Sequence, residues 1–564
     1  MIGGSDMKEK YIALMERTLE AYSYEHIERY FNEVKTNGLK EHGFPRLTAD
    51  IGILIARGRK RELLPIFLEM MDFCCERIPK VKAANDFSVK EIIFCIMELG
   101  GKGIVSDGDI ERWKSGLRTI VPETCYNQYA KTPNDKIFNW ALFTAVSEYM
   151  RTCFGLCDSS EFIDVQIPTQ LHWLDENGMY RDDEYNPPMV YDLVPRGLFA
   201  ILLHFGYNGK YRAEIDECLR KTGILTLKMQ SVSGEVPFGG RSSQFPHNEA
   251  HLAVVFEYEA RRYASEGNLM LAGEFKSATR RAIENIELWL SKHPIRHIKN
   301  RFPTETGYGC EDYAYFDKYM ITTASFLYAA QLVCDDTIAE TPVDRTRAYT
   351  AKTSDEFHKV FLNAGGYFLE FETKADMHYD ASGLGRVHKE GAPSCVCMSA
   401  PCTSSPNYRI DVEDAVDLSL APGCFADGEY IFATTPDSRY ELKELSASDA
   451  ERSASALFDV TLNGGKRLSA AYSVDADGVK INVKGDGEMA HMLPAFDFDG
   501  CDHTDIVCDG RSLEIAYGGY VCRYTTDGEI VEDNRRACSR HGHYKVFYAR
   551  AKNALSVSIE IFKK

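Results

Sequence analysis

The chain lacks any long apolar run and any excess of basic charge. No segment approaches the roughly 18 consecutive apolar residues of a membrane-spanning helix, so we expect no membrane partner. The 564 residues contain 65 Lys and Arg against 84 Asp and Glu, a formal net charge of −19 at pH 7. Because phosphate binding requires a basic face, nucleic acid is not expected as the main partner. A few arginines can still form a local pocket for an anionic ligand.

Further absences bear on location and cofactors. The N-terminal stretch MIGGSDMKEKYIALMERTLEAY has no apolar h-region and no small-residue cleavage site, which predicts a cytoplasmic protein. The 17 cysteines are scattered and odd in number, so reduced thiols are expected rather than a disulfide framework. No convincing GxGxxG unit or P-loop occurs, and no cofactor is predicted.

The first part of the chain has a helical period. From Lys8 to about Asp335, runs such as YIALMERTLEAY, VKEIIFCIMELGG and LVPRGLFAILLHFG place apolar residues three and four positions apart. Such runs amount to roughly twelve or thirteen helices without a fixed-period repeat. After residues 336–350 the segments GGYFLEFETK, ALFDVTLNG, GVKINVKG and ALSVSIEIF alternate between Gly, Asp and Asn turns. The sequence therefore predicts a multidomain α+β chain, with a helical array over residues 1–340 and an antiparallel β-sandwich over residues 341–564.

This order of parts resembles the heparinase II/III-like and related polysaccharide lyases. The resemblance implies an N-terminal (α/α)6-type toroid followed by the β-sandwich, and action on an anionic oligosaccharide. Glucuronidase-type families also use such a toroid and remain an alternative. Since fold does not establish function, the polar stretches must supply the chemistry.

One polar stretch, GGRSSQFPHNEAHLAVVFEYEARRY, crowds functional groups at a helix start. Its two glycines permit close backbone approach, and Arg241 can clamp a carboxylate through a planar fork. Gln244, His247, Asn248 and Glu249 follow within eight residues, at the positive end of a helix, where an anion is favoured. We interpret this stretch as a binding site for an anionic sugar, with His247 and Asn248 as catalytic candidates. A structural arginine bonded to loop carbonyls is the alternative.

A second stretch, RFPTETGYGCEDYAYFDKYM, contains several tyrosines and two acids beside a helix start. In the toroidal lyases that the chain resembles, an Asn or His of one inner helix precedes a catalytic Tyr. The resemblance leaves Tyr308, Tyr313 and Tyr315 in competition for that role, and at least two are expected to be core residues. Glu311 and Asp312 are candidates for substrate binding.

Two helix starts earlier in the chain offer further sugar-binding candidates. In NDKIFNWALF, Asn139 and Trp140 form either a plain capped helix or an amide beside a stacking indole. In DENGMYRDDEYNPPMVYDLVPRG, the long loop enters an apolar helix that carries Tyr191, Asp192 and Arg196.

The start of the β part supplies another candidate cluster, in HYDASGLGRVHKEGAPSCVC. The lyase families bring a β-domain His to the toroid cleft, and the resemblance implies that role for His388 or His378. Tyr379 and Arg386 are expected nearby as substrate-binding residues. The His-Gly-His-x-Asp pattern of heparinase-like β domains is absent.

These groups predict β-elimination from a short, uronate-containing oligosaccharide, of exo type. The reaction needs neutralisation of the uronate carboxylate, a base for the C5 proton and an acid for the leaving oxygen. A glycoside hydrolase using paired carboxylates among Asp192, Glu249, Glu311 and Asp312 is the rival reading, and a non-catalytic carbohydrate-binding protein is a third. The oligomeric state is left open.

No catalytic metal is predicted. The segment CSRHGHY gathers Cys538, His541 and His543, but without standard zinc spacing. A structural metal in the β domain is therefore only a minor alternative to exposed hairpin histidines.

Overall fold

The computed structural model describes residues 6–564, and its helical part ends before its first strand begins. The helices of the described residues are α1 Met7–Leu19, α2 Tyr24–Asn37, α3 Gly43–Ala56, α4 Leu64–Arg77, α5 Asn85–Leu99, α6 Asp107–Arg118, α7 Pro122–Cys125, α8 Trp140–Cys153, α9 Ser160–Leu171, α10 Met189–His204, α11 Arg212–Met229, α12 Pro246–Ser265, α13 Leu269–Leu290 and α14 Phe316–Val333. The sequence predicts roughly twelve or thirteen helices, fewer than these fourteen, because a four-residue helix such as α7 shows no apolar period.

Six of these helices form a closed ring. α3 packs on α5, α5 on α8, α8 on α10, α10 on α12, α12 on α14, and α14 returns to α3. The helices α1, α4, α9, α11 and α13 each pack on a member of this ring. All fourteen residues of α3 are buried, as expected of a helix that is enclosed on every side. The predicted helical toroid is confirmed.

The strands follow in two antiparallel sheets. They are β1 Tyr349–Lys352, β2 Lys359–Ala364, β3 Tyr367–Glu372, β4 Gly383–Lys389, β5 Pro422–Ala426, β6 Glu429–Phe432, β7 Arg439–Ser448, β8 Ser453–Thr461, β9 Arg467–Asp475, β10 Gly478–Phe498, β11 Asp505–Cys508, β12 Ser512–Tyr517, β13 Tyr520–Thr526, β14 Glu529–Ser539 and β15 Gly542–Lys563. The small sheet has the order β1-β2-β3-β4, and the other eleven strands form the large sheet around the long β10–β15 pair. The predicted antiparallel β part is confirmed.

The small sheet is the middle layer of the molecule. Leu362 and Leu369 of its β2 and β3 belong to the core that the two sheets share. Phe361 and Phe368, which alternate with them, pack with Met189 and other residues of the helical part. Because the sheet is covered on both faces, β2 and β3 are buried at every position, whereas β9 of the large sheet alternates.

The linker between the helical and β parts is short. The last helix ends at Val333 and the first strand begins at Tyr349. Across residues 6–564, no helix has the length and hydropathy needed to cross a bilayer. All 17 cysteines lie in this described part and are free thiols.

Candidate functional site

A cavity of about 300 Å³ lies where the six ring helices begin. Every ring helix contributes to it through residues at its start or in its first three turns. The lining residues are His42, Arg46, Phe87, Asn139, Trp140, Phe143, Val190, Tyr191, Val194, His247, His251, Tyr313, Lys318, Tyr319, Thr322 and Phe326. Helix N-termini carry partial positive charge, so the backbone of the whole ring favours a negatively charged ligand at this end.

The wall formed by α3 contains a buried arginine. Arg46 donates through Nε and Nη2 to the two carboxylate oxygens of Glu91, at 2.7 and 3.0 Å. Its Nη1 donates to Thr322 Oγ1 at 2.8 Å and lies 3.4 Å from His42 Nδ1. Arg46 therefore presents a guanidinium that Glu91 and Thr322 hold in a fixed position.

Three phenols meet at one serine beside the cavity. The Oγ atom of Ser242 lies 3.2 Å from the hydroxyls of Tyr191 and Tyr313, and 3.4 Å from that of Tyr319. Ser242 has a left-handed backbone conformation, with φ of 57°. For a non-glycine residue this conformation costs about 1–3 kcal/mol and persists only where surrounding contacts hold it. The contacts that hold it are a hydrogen bond from Ser242 N to Glu311 Oε1 (2.7 Å) and one from Asn248 Nδ2 to Ser242 O (3.2 Å).

These contacts bring the two main polar stretches of the sequence together. Gly239–Glu249 and Gly307–Tyr315 meet at Ser242, next to the cavity. Burial raises the pKa of Tyr313 and of Tyr319 far above the usual value, so both phenols stay protonated.

Neutral imidazoles form another part of the lining. Burial lowers the pKa of His247 to about 3, and the charge of Arg46 acts in the same direction. Burial also lowers the pKa of His251 well below its usual value, with the nearby His247 contributing. His247 Nδ1 is buried without a hydrogen-bond partner among the described residues. The ring is therefore neutral, and one of its two nitrogens is unprotonated and able to accept a proton.

Arg241, which was predicted to bind a substrate carboxylate, is paired with a carboxylate of the protein itself. Arg241 Nη2 bonds to the Asp182 side chain and, at 3.2 Å, to its backbone oxygen, and the guanidinium lies 4.7 Å from the Tyr191 ring centroid. Asp182 Oδ1 also accepts from Asn139 Nδ2 at 2.7 Å. Burial raises the pKa of Asp182 to about 6, although the Arg241 charge opposes that shift. The Arg241 side chain is 27% exposed at the edge of the cavity.

The remaining predicted residues lie outside the cavity lining. On the helical side, Arg196 Nε donates to Asp192 Oδ1 (3.0 Å) in a buried ion pair. Glu249 Oε1 accepts from Lys299 Nζ (2.7 Å). Gln244 Oε1 lies 3.1 Å from His541 Nε2.

On the β side, Arg386 and His388 are buried against the helical part. Arg386 Nη1 donates to the backbone oxygen of Val236 at 2.7 Å. His388 lies between Ser231 Oγ and Ser399 Oγ, at 3.1 and 3.0 Å. These residues join the two parts of the chain.

The other residues of the tyrosine-rich stretch are also engaged elsewhere. Tyr308 is buried and donates to the backbone oxygen of Ser539 (3.1 Å). Tyr315 is 45% exposed at the cap of α14. The Tyr379 ring lies 5.9 Å from the Arg540 guanidinium, and His378 Nδ1 lies 3.0 Å from the backbone oxygen of Ser405.

Of the sequence candidates, the cavity lining therefore contains Asn139, Trp140, Tyr191, His247 and Tyr313. Sequence reasoning did not single out Arg46, His251 or Lys318, and it left Tyr319 out of the competition for the catalytic tyrosine. Two signals were available: a charged residue inside the apolar run GFPRLTADIGILIA, and a second histidine four positions after His247, on the same helix face.

A possible metal-ligand cluster lies away from the cavity, in the β part. Ligand atoms of Asp411, Cys538 and His543 lie within 4.8 Å of one another. His543 Nε2 is 2.6 Å from Asp411 Oδ1. The third member of the sequence-level group, His541, lies elsewhere, with Nδ1 2.8 Å from the backbone oxygen of Lys299.

No protein-family model and no curated protein matches the chain. Similar solved structures include heparan sulfate lyase HepC from Pedobacter heparinus, at 8% identity and TM-score 0.44, over 85% of this chain and 68% of that one. A heparinase III gene product has 10% identity and TM-score 0.47, over 96% and 75%. A family 88 glycosyl hydrolase from Bacteroides vulgatus has 14% identity and TM-score 0.35, over 58% and 98%. All three TM-scores are below 0.5, and the chemistry of this chain rests on its own residues.

Proposed function

We propose that this protein is a carbohydrate-active enzyme that cleaves a uronate-containing oligosaccharide by β-elimination in the toroid cavity. One observation carries the proposal: among the described residues, the lining combines neutral imidazoles and protonated phenols but contains no Asp or Glu. A two-carboxylate hydrolase needs a pair of acids at the scissile bond. β-Elimination needs a base, an acid and a positive environment for the carboxylate.

In this mechanism His247 is the base. The unprotonated ring nitrogen of His247 removes the C5 proton, and the electron pair forms the C4=C5 double bond as the C4–O bond breaks. A bound carboxylate would offset the charge of Arg46, which helps to lower the pKa of His247. The imidazole would therefore become a stronger base only when substrate is present.

A phenol of the Ser242 group is the acid. Tyr313 and Tyr319 both line the cavity, and their raised pKa values keep them protonated until a leaving oxygen develops negative charge. Asn248, held to Ser242 O, is proposed to keep that serine in its left-handed conformation. Trp140 and Tyr191 supply aromatic surface for a sugar ring.

The size of the cavity supports a short substrate. At about 300 Å³, it is at the lower end of the roughly 300–1,000 Å³ typical of small-molecule sites. That volume suits the terminal unit of an oligosaccharide rather than the middle of a polymer, which agrees with exo-type action.

The hydrolase alternative is less favoured because of the positions of its four candidate acids. Asp192, Glu249 and Glu311 are each buried in an ion pair with Arg196, Lys299 and Arg540, respectively. The fourth, Asp312, has its side chain 87% exposed beside Arg409.

The proposal is tested by following ultraviolet absorbance while the protein acts on a panel of uronate oligosaccharides. We expect absorbance from a C4=C5 unsaturated uronate, and its loss in His247→Gln with the melting temperature preserved. Cleavage that gives only saturated sugars would contradict elimination. Binding without cleavage across the panel would favour the hypothesis of a non-catalytic carbohydrate-binding protein.

A further inference from the structure

Lys318 lies in the cavity wall without a counter-ion. Its Nζ makes no ion pair and no hydrogen bond with any residue of the described part of the chain, 6–564. Its nearest aromatic partners are the rings of Tyr315 and Tyr319, with centroids 5.7 and 6.0 Å from Nζ. The side chain is half-buried on α14, two positions after the helix start.

The neighbouring cations Arg46, Lys90 and Arg241 differ from Lys318 because each is in an ion pair. Arg46 is paired with Glu91, and Lys90 shares the same carboxylate at 2.7 Å. Arg241 is paired with Asp182. Each of these cations has a carboxylate in direct contact, although Arg46 and Lys90 share one.

An unpaired ammonium in this position is unfavourable without a ligand. Burial lowers the pKa of Lys318, the charge of Arg46 lowers it further, and Glu41 opposes them. Glu41 accepts from the Tyr30 hydroxyl (2.5 Å) and from Gly43 N (2.6 Å), and its carboxylate acts on Lys318 only from beyond ion-pair distance. Lys318 Nζ therefore has no carboxylate in direct contact and can pair with one that enters the cavity.

We propose that Lys318 binds the carboxylate of the substrate uronate and sets the preference for an acidic over a neutral sugar. The inference rests on the proposed function for the nature of the ligand. It gives Arg241 a different role from the one expected from sequence: Arg241 positions Asp182 and, through it, Asn139. The start of α14 and the adjacent Arg46 reinforce the attraction for an anion.

The test measures binding without turnover. Methyl glycosides of glucuronate, galacturonate and mannuronate are compared by calorimetry with those of glucose, galactose and mannose, which differ from them at C6. None carries a sugar on O4, so elimination cannot cleave a glycosidic bond. Wild type is expected to prefer at least one acidic member of a pair by roughly ten- to hundredfold, the range for a hydrogen bond to a charged group.

The variants separate Lys318 from its neighbours. Lys318→Met is expected to bind the neutral sugar like wild type and to lose the acidic preference, whereas Lys318→Arg retains part of it. Lys35→Met is the matched control, because Lys35 is an exposed lysine 4.2 Å from the Phe31 ring centroid. Arg241→Met tests the sequence prediction beside it: an acidic preference lost in Arg241→Met and kept in Lys318→Met would assign the carboxylate to Arg241.

Two results would overturn the proposal: an acidic preference that survives Lys318→Met, or a wild-type protein that never prefers the acidic sugar. Melting curves, with the Arg variant beside the Met variant, exclude misfolding as the cause of a loss. The outcome is independent of catalysis. Lys318→Met could lose the preference for acidic sugars while wild type forms no unsaturated product from oligosaccharides. That combination would support carboxylate binding by Lys318 and reject the elimination mechanism.

Discussion

Two adjacent acids, Glu311 and Asp312, provide a matched test of how the helical and β parts are joined. Glu311 accepts from Arg540 Nη2 and Nη1 at 2.6 and 3.0 Å, and both side chains are almost completely buried. Asp312 accepts from Arg409 Nη2 at 3.0 Å, but the two side chains are 87% and 58% exposed. Each acid therefore bonds to an arginine of the β part, in one pair buried and in the other exposed to solvent.

We expect Glu311→Gln to destabilise the protein by about 3–5 kcal/mol, because it leaves the Arg540 charge buried without a carboxylate, with the Gly309 carbonyl and the new amide as hydrogen-bond partners. Asp312→Asn should cost about 1 kcal/mol or less, since solvent screens the exposed pair. The assay is urea denaturation followed by circular dichroism. Adding Arg540→Met to Glu311→Gln should recover part of the loss. Equal losses in the two single variants, or no recovery in the double variant, would refute the reasoning.

The remaining predictions concern the cavity and the buried acids. Tyr313→Phe and Tyr319→Phe should both lower turnover, and the larger loss identifies the proton donor; unchanged rates in both would remove the phenols from the mechanism. Ser242→Gly should relieve the strain of the left-handed backbone yet lower kcat, because the phenols lose their shared hydroxyl. An unchanged kcat would show that the Ser242 hydroxyl does not position the phenols. Burial raises the pKa of Glu372 to about 8 and that of Asp380 to about 7. At these two carboxyls the folded state keeps protons that the unfolded chain has released, so their contribution to the free energy of unfolding falls as pH rises from about 4 to about 8. Wild type should therefore lose stability relative to Glu372→Gln over this range, and a difference in urea midpoint that does not change with pH would contradict this assignment.

Sequence periodicity was sufficient to separate helices from strands, because burial follows the helix and strand periods. The ring was implied by the resemblance, since the burial of all fourteen residues of α3, with Arg46 and Asp50 among them, is visible only in the structure. The sequence could not show that β2 and β3 lie in a middle layer, although every residue in them is buried. A short apolar run has the same pattern whether a helix or a sheet covers it.

The candidate site was only partly predictable, for geometric reasons. His247 and Glu249 are two positions apart on α12, which places them on different sides of the helix. His247 lines the cavity, whereas Glu249 bonds to Lys299. The partner of Arg241 is Asp182, 59 residues away, and no local pattern reveals such a pairing. Lys318 belongs to a stretch that was singled out, but its lack of a counter-ion is visible only in three dimensions.

The most direct test of the proposed chemistry is the mass of the products formed in ¹⁸O-labelled water. Elimination in the toroid cavity predicts that the two fragments of a uronate oligosaccharide together have the mass of the substrate, with no ¹⁸O incorporated and one unsaturated ring. Fragments that together exceed the substrate by one water molecule, with ¹⁸O at the newly formed reducing end, would contradict elimination and show that the enzyme is a hydrolase.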